Sequence, residues 1–347
     1  MIVTRDRALG ALIGAVVGTF FLVPTQGSAQ GRETASCADV EVPALEDLFR
    51  AAEQGLAEAQ HNLGVFYANG DGLPKDNGEA ACWYRKAAVQ GHASAQDNLG
   101  LMYANGEGVP ENDAEAVRWY MLAVEQGYSN AQYNLGVAYA SGEGLPENSV
   151  EAARMYRLAA DQGLAVAQYN LALLYSTGVG VPEVDVEAVR WYRLAAEQGH
   201  ADAQTNLGVA YATGEGVPED DSAAVRWYRS AAEQGHAGAQ TNIGTMYANG
   251  DGVVQDPREA VRWYRLAAEQ GLSAAQSNLG TMYGLGNGVP EDLVFAYLWY
   301  NLSAAQGNET SERNKNIIEQ RMTRDQIAEG QRLSREWTAT HPQDGGN

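Results

Sequence analysis

Along most of the chain, apolar residues fall at helical spacing in pairs of segments separated by short polar loops. Ala80, Trp83, Tyr84, Ala87 and Ala88 stand at i, i+3, i+4, i+7 and i+8, the stripe of one buried helix face. Ala203, Leu207 and Tyr211 mark a second kind of segment, also one-sided. Between the two kinds lie loops such as Gly106-Glu107-Gly108-Val109-Pro110, where glycine supplies positive φ and proline blocks helix continuation. The kind of segment that carries Trp83 and Tyr84 opens with Asp76 and Glu79, Asn112 and Glu115, Asn148 and Glu151, or Asp256 and Glu259. That spacing predicts a capping box, in which cap and glutamate satisfy each other's backbone donors. It closes on the glycine of A-E-Q-G, a left-handed helix stop. The pattern predicts helix, turn, helix, turn.

The closing glycine recurs as Gly55, Gly91, Gly127, Gly163, Gly199, Gly235, Gly271 and Gly307, every 36 residues. A fixed short period means a stacked array in which each unit packs on its neighbours. The fold class expected is therefore an all-α solenoid of helix-turn-helix repeats. Seven units run over 56–91, 92–127, 128–163, 164–199, 200–235, 236–271 and 272–307. A half unit, the lone helix Leu45–Gln54, precedes them, so the solenoid spans 44–307 with a polar linker over 30–43. Beyond Gly307, a helix over Thr310–Met322 places Ile317, Ile318 and Met322 on one side. Thr323 and Gln326 then open a last helix carrying Ile327, Leu333 and Trp337. This pair suits an end cap over 308–340, and 341–347 reads as a disordered tail.

Positions that recur in nearly every repeat describe packing. Gly64, Gly100, Gly136, Gly208, Gly244 and Gly280 sit mid-helix, where glycine costs about 1 kcal/mol against alanine. Recurrence at that cost predicts a neighbour too close for a Cβ. Trp83-Tyr84 and its copies read as inter-helix packing rather than a ligand box. The amides from Gln60 to Gln276 and from Asn62 to Asn278 read as repeated structural hydrogen bonds.

Positions that change are expected to bind, on the premise that packing positions cannot vary. Two such positions lie i, i+4 apart on the first helix, hence on one face. The first runs His61, Asp97, Tyr133, Tyr169, Thr205, Thr241, Ser277; the second runs Val65, Leu101, Val137, Leu173, Val209, Thr245, Thr281. Candidate partner-binding residues are Tyr133, Val137, Tyr169 and Leu173 at the centre, flanked by Asp97, Leu101, Thr205 and Val209. Tyrosine beside aliphatics has hot-spot composition. The fourth unit departs most, with Ala172 for glycine, Val166, Leu174, Val179 and the cap residue Val184, while Met155 replaces a tryptophan in the unit before.

The consensus W-Y-x-x-A-A-E-Q-G-x-A-x-A-Q-x-N-L-G-x-x-Y-A-x-G-x-G-V-P resembles the Sel-one-like repeat, a relative of the tetratricopeptide repeat, from Leu45 to Gly307. The resemblance implies a right-handed α-solenoid acting as an interaction scaffold, first helices lining its concave face. It also implies an envelope regulator or adaptor, as many exported bacterial members are. The alternatives are a structural protein associated with peptidoglycan and a β-lactam-binding or hydrolysing envelope enzyme, the activity associated with a cysteine-rich branch, although this chain lacks that branch's paired cysteines in each repeat and has no S-x-x-K.

Charge and targeting refine this picture. A formal net charge of -21 with only three lysines argues against nucleic acid, whose binding rests on Lys and Arg neutralising phosphates. It suits attraction to a basic protein or peptide. Arg5 and Arg7, the apolar run Ala8–Val23 and the small residues Gly27-Ser28-Ala29 have the order of a signal peptide over 1–29. The expected localisation is periplasmic or secreted, without membrane insertion after cleavage. Export would let Cys37 and Cys82, the two cysteines, form a disulfide. No catalytic set, cofactor motif or metal-ligand spacing is found: His92, His200 and His236 share a position with Leu and Tyr, which suggests packing.

Overall fold

The computed structural model describes residues 42–341, and all their regular structure is helical. The signal segment, Cys37 and residues 342–347 lie outside the described residues. The chain divides into two compact units, Met1–Met155 and Tyr156–Asn347.

In the first unit, α1 (Val42–Glu53) leads into the pairs α2 (Ala57–Asn69) with α3 (Asn77–Ala88) and α4 (Ala93–Asn105) with α5 (Asp113–Glu125). Then come α6 (Ser129–Ser141) and the start of α7 (Ser149–Asp161). In the second unit, α8 (Ala165–Thr177) pairs with α9 (Asp185–Glu197), α10 (Ala201–Thr213) with α11 (Asp221–Glu233), and α12 (Ala237–Asn249) with α13 (Pro257–Glu269). The pair α14 (Ser273–Leu285) and α15 (Leu293–Ala305) precedes α16 (Glu309–Glu319) and α17 (Arg324–Thr340). Helix α1 begins at Val42 rather than Leu45, inside the expected linker. Pro43 permits this, because first-turn N–H groups have no intrahelical partner to lose.

The repeat stops each second helix in the same way. After α9, Gly199 adopts φ +91° and the N–H of His200 donates to the Ala195 carbonyl at 3.1 Å. A side chain at that φ would be strained. The caps at the other end form only by half. Asn112 accepts from the Glu115 N–H at 3.1 Å, but Glu115 turns away to Arg118 at 2.6 Å. Glu151 and Glu259 likewise pair with Arg154 and Arg262. An arginine three residues on shares the helix face and offers a charge-assisted partner. Among the described residues, the reciprocal box is complete at Thr323 and Gln326. Cys82 fills the arginine position opposite Glu79 and is exposed.

The expectations for the glycines and the glutamines hold. A Cβ built on Gly208 would lie 2.6 Å from the Tyr228 ring, and Gly64, Gly100, Gly244 and Gly280 face Tyr84, Tyr120, Tyr264 and Tyr300 in the same way. These tyrosines are buried, so the close neighbour is the second residue of the Trp-Tyr pair, lying flat on the first helix. The glutamines are buried and bonded at both ends. Gln204 Nε2 donates to the Ala196 carbonyl at 3.0 Å, and Gln204 Oε1 accepts from Gln234 at 2.7 Å. The same pair of bonds recurs at Gln60, Gln96, Gln168 and Gln240. Each gives a second hydrogen bond to a last-turn carbonyl that also accepts from the N–H of the closing glycine, as Ala196 does from Gly199 at 3.0 Å. Gln204→Met keeps the volume and removes both bonds, to the Ala196 carbonyl and from Gln234, so a loss of about 1–2 kcal/mol is expected in chemical denaturation. Gln234→Met, at an exposed residue, is expected to lose less.

The C-terminal pair covers the last repeat, with two corrections. Ile318 is buried but Ile317 is 58% exposed; the two point about 100° apart on α16, and only the Ile318 side of the helix is covered. Trp337 meets Trp299 edge-on at 6.3 Å. His341, expected in the tail, lies parallel to Trp337 at 4.3 Å and follows α17 directly.

Candidate protein-binding surface

The first-helix positions expected to face a partner do not share one environment. Asp97 is 2% exposed and Thr205 is 8% exposed, with Thr241 and Ser277 buried as well. A rigid partner cannot reach them. Tyr133, Val137 and Leu101 are half-buried in the first unit, and Tyr169, Leu173 and Val209 are half-buried in the second. Leu101 and Val209 also pack against the cores beside them.

The first variable position meets the residue that opens the next repeat. His61 stacks on His92 at 4.6 Å, Tyr169 stacks on His200 at 4.6 Å, and Thr205 Oγ1 lies 3.2 Å from His236 Nδ1. These positions vary, yet they pack. One residue type, histidine, covers a histidine, a tyrosine and a threonine in turn, which the premise of fixed packing positions leaves out. His92, His200 and His236 also cap their helices, accepting the N–H of Ala95, Ala203 and Ala239.

Asp97 is a carboxyl in this position. Asn134 Nδ2 donates to its Oδ1 at 2.8 Å, yet burial pushes the carboxyl up to about 7. Its negative charge in turn adds to the burial that raises the nearby Tyr120 hydroxyl.

In the second unit, a cleft of about 280 Å³ opens beside α8, α9 and α10. Ser176, Tyr192, Asn206 and Val209 line it, and the exposed carboxylates Asp185 and Glu215 stand at its rim. This is where the fourth unit departs from consensus. Ala172 is fully buried where other repeats have glycine. The Tyr192 hydroxyl lies 3.2 Å from Ser176 Oγ, whereas Tyr264 and Tyr300 reach Thr245 and Thr281 at 3.0 Å, one turn earlier in the repeat register. Val184 caps α9 without a side-chain bond.

Glu58, His61 and His92 also come together, with one donor atom from each within 4.8 Å of the others. Sequence spacing did not expose this group, because His92 lies in the next repeat, 34 residues from Glu58. A carboxylate at position 58 with histidines at 61 and 92 was the available signal.

Two observations decide the family: the stacked helix pairs and the recurrence of one sequence profile. The Sel1 repeat profile matches at residues 57–92, 93–128, 129–164, 165–200, 201–236, 237–272 and 273–308. The chain is a Sel1 repeat protein. Sel1 repeat proteins generally serve as scaffolds for protein interaction. A Sel1 repeat protein from Oxalobacter formigenes is 36% identical over 80% of each chain, with a TM-score of 0.63. A protective antigen of uropathogenic Escherichia coli displaying this fold is 30% identical, covers 86% of this chain and 87% of its own, and gives a TM-score of 0.51. A chitin synthase regulator from Malassezia restricta is 58% identical over 38 residues. Those residues are 11% of this Sel1 repeat protein and 3% of the regulator.

Proposed function

We propose that this Sel1 repeat protein is an adaptor or regulator of the cell envelope that binds a basic protein or peptide segment through its first-helix face. The observation that carries this reading is the cleft of the second unit. It has an aliphatic wall at Val209, hydrogen-bonding groups at Ser176 and Asn206, and carboxylates at Asp185 and Glu215. An apolar wall takes a side chain, while rim carboxylates attract and orient a cation. The formal net charge of -21 favours the same partner charge over longer range. Tyr169 and Leu173 extend this surface in the second unit. Tyr133 and Val137 offer a similar pair in the first.

The location is part of the proposal: the charged, apolar and small-residue order of residues 1–29 supports export to the periplasm or beyond. No helix among the described residues is long and apolar enough to cross a membrane.

A photo-crosslinking residue at Val209 is expected to trap one discrete partner in intact cells. The same residue at Val254, 86% exposed on a loop, should not trap it. With that partner purified, Tyr169→Ala is expected to weaken binding by about tenfold, and added salt to weaken it further. Unchanged affinity in folded Tyr169→Ala and Val209→Asp proteins would exclude this face.

A further inference from the structure

We propose that Glu58, His61 and His92 form a site for a divalent transition metal of the zinc class, where the first two repeats meet. The carboxylate and the first imidazole lie one turn apart on α2, and the second imidazole stands at the start of α4. The His92 Nε2 to Glu58 Oε2 distance is 2.9 Å, and the two rings stack at 4.6 Å with 20° between planes. One donor atom of each residue lies within 4.8 Å of the others. Zinc at about 2.0–2.2 Å from nitrogen and oxygen needs donors somewhat closer than that. Glu58 is exposed and free to make the adjustment. Two histidines and one glutamate are also the donor set of zinc sites that keep a fourth position open.

The surroundings orient the donors. His61 Nδ1 lies 3.3 Å from Asn62 Oδ1, which holds the proton on Nδ1 and leaves Nε2 with its lone pair. The Asn98 amide, 3.2 Å from that Nε2, must swing aside for the metal. For His92, ligation through Nε2 places the proton on Nδ1 and gives up the cap on Ala95. Repeats opening with Leu56, Leu164 or Leu272 lack a side-chain cap altogether, so the fold tolerates this. Loss of the cap and of the Asn98 contact sets the affinity in a moderate range.

The same chain holds a near copy that lacks one donor. Asp202 Oδ1 lies 3.0 Å from His236 Nε2, but Thr205 stands where His61 stands. No other repeat junction combines a carboxylate and both histidines in these positions. His61→Thr therefore turns the first junction into a copy of this second one, with residues the fold already accepts.

The test is titration of the untagged, full-length protein with zinc against a chromophoric chelator, with cobalt(II) absorption as a second readout. One saturable equivalent is expected, with cobalt bands of low-coordinate geometry. His61→Thr and Glu58→Gln should each weaken that equivalent by at least about tenfold, leaving the metal-free melting temperature near wild type. Glu58→Gln, at an exposed residue, keeps the test valid if His61→Thr fails to fold. Absence of a saturable equivalent, or equal binding by wild type and both variants, overturns the site.

Discussion

Asp97→Asn is expected to stabilise the protein at about pH 8 by up to roughly 4 kcal/mol, the largest gain foreseen for any single change. The carboxyl is 2% exposed, and burial holds it up to about 7. In the unfolded chain it titrates near 3.9. Between these values the folded state keeps a proton that the unfolded state has released, so stability falls as pH rises through that window. Below it the carboxyl is neutral in both states and the penalty vanishes. Above it the buried charge is present in full, compensated only by the Asn134 donor. A difference of about three pH units corresponds to roughly 4 kcal/mol, an upper bound because local relaxation and water relieve part of it. Asparagine keeps an acceptor for Asn134 and carries no charge. Urea unfolding of both proteins from about pH 4.5 to pH 8 checks this. The wild-type curve should slope downward, and the variant should flatten it. Parallel curves would mean that Asp97 is solvated or compensated in the folded state.

Asp97 also shows what the sequence could and could not reveal. Helix order, repeat period, buried glutamines and glycine contacts follow from letters that recur, because a recurring letter reports a recurring environment. Variation was harder to read. Asp97 and Thr205 looked like surface positions because they differ between repeats, but both are buried, Asp97 against Asn134 and Thr205 against His236, which opens the next repeat. His61 with His92, Tyr169 with His200 and Thr205 with His236 are matched pairs joined across 31 residues. Reading position 61 against position 92 would have found them. Reading it against 97 and 133 could not. The expected disulfide from Cys82 to Cys37 lies partly outside the described residues. Cys82 itself is exposed and replaces the arginine that neutralises the capping glutamate in other repeats.

The partner surface is consequently smaller than the repeat pattern suggested. Once Asp97 and Thr205 are removed, what remains in the second unit is Tyr169, Leu173 and Val209 beside the acidic-rimmed cleft. The fourth repeat shapes that cleft through an exchange the sequence displays without explaining: alanine for glycine at 172, with serine at 176. In the usual repeat, glycine lets the tyrosine ring lie directly on the first helix. With Ala172 present, the Tyr192 hydroxyl instead reaches Ser176.

That exchange can be transplanted. Gly208→Ala alone is expected to destabilise the protein by about 2 kcal/mol, although alanine gains about 1 kcal/mol of helix propensity over glycine. The new Cβ would sit 2.6 Å from Cδ1 and Cε1 of Tyr228, and Tyr228 is 4% exposed. A buried ring can yield only by leaving its rotamer or pushing its neighbours, and overpacking of this kind costs about 1–3 kcal/mol. Adding Ala212→Ser reproduces the arrangement of Ala172 and Ser176, giving the displaced Tyr228 hydroxyl a partner one turn along. The double variant should recover about 1 kcal/mol or more of the loss, a coupling measurable in a double-mutant cycle. Ala212→Ser alone should change little, since the Tyr228 hydroxyl then has no reason to move. If Gly208→Ala proves neutral or stabilising, glycine is not required by the ring. If the loss persists unchanged in the double variant, Ser176 is incidental, and the fourth repeat accommodates Ala172 by moving its helices rather than its tyrosine.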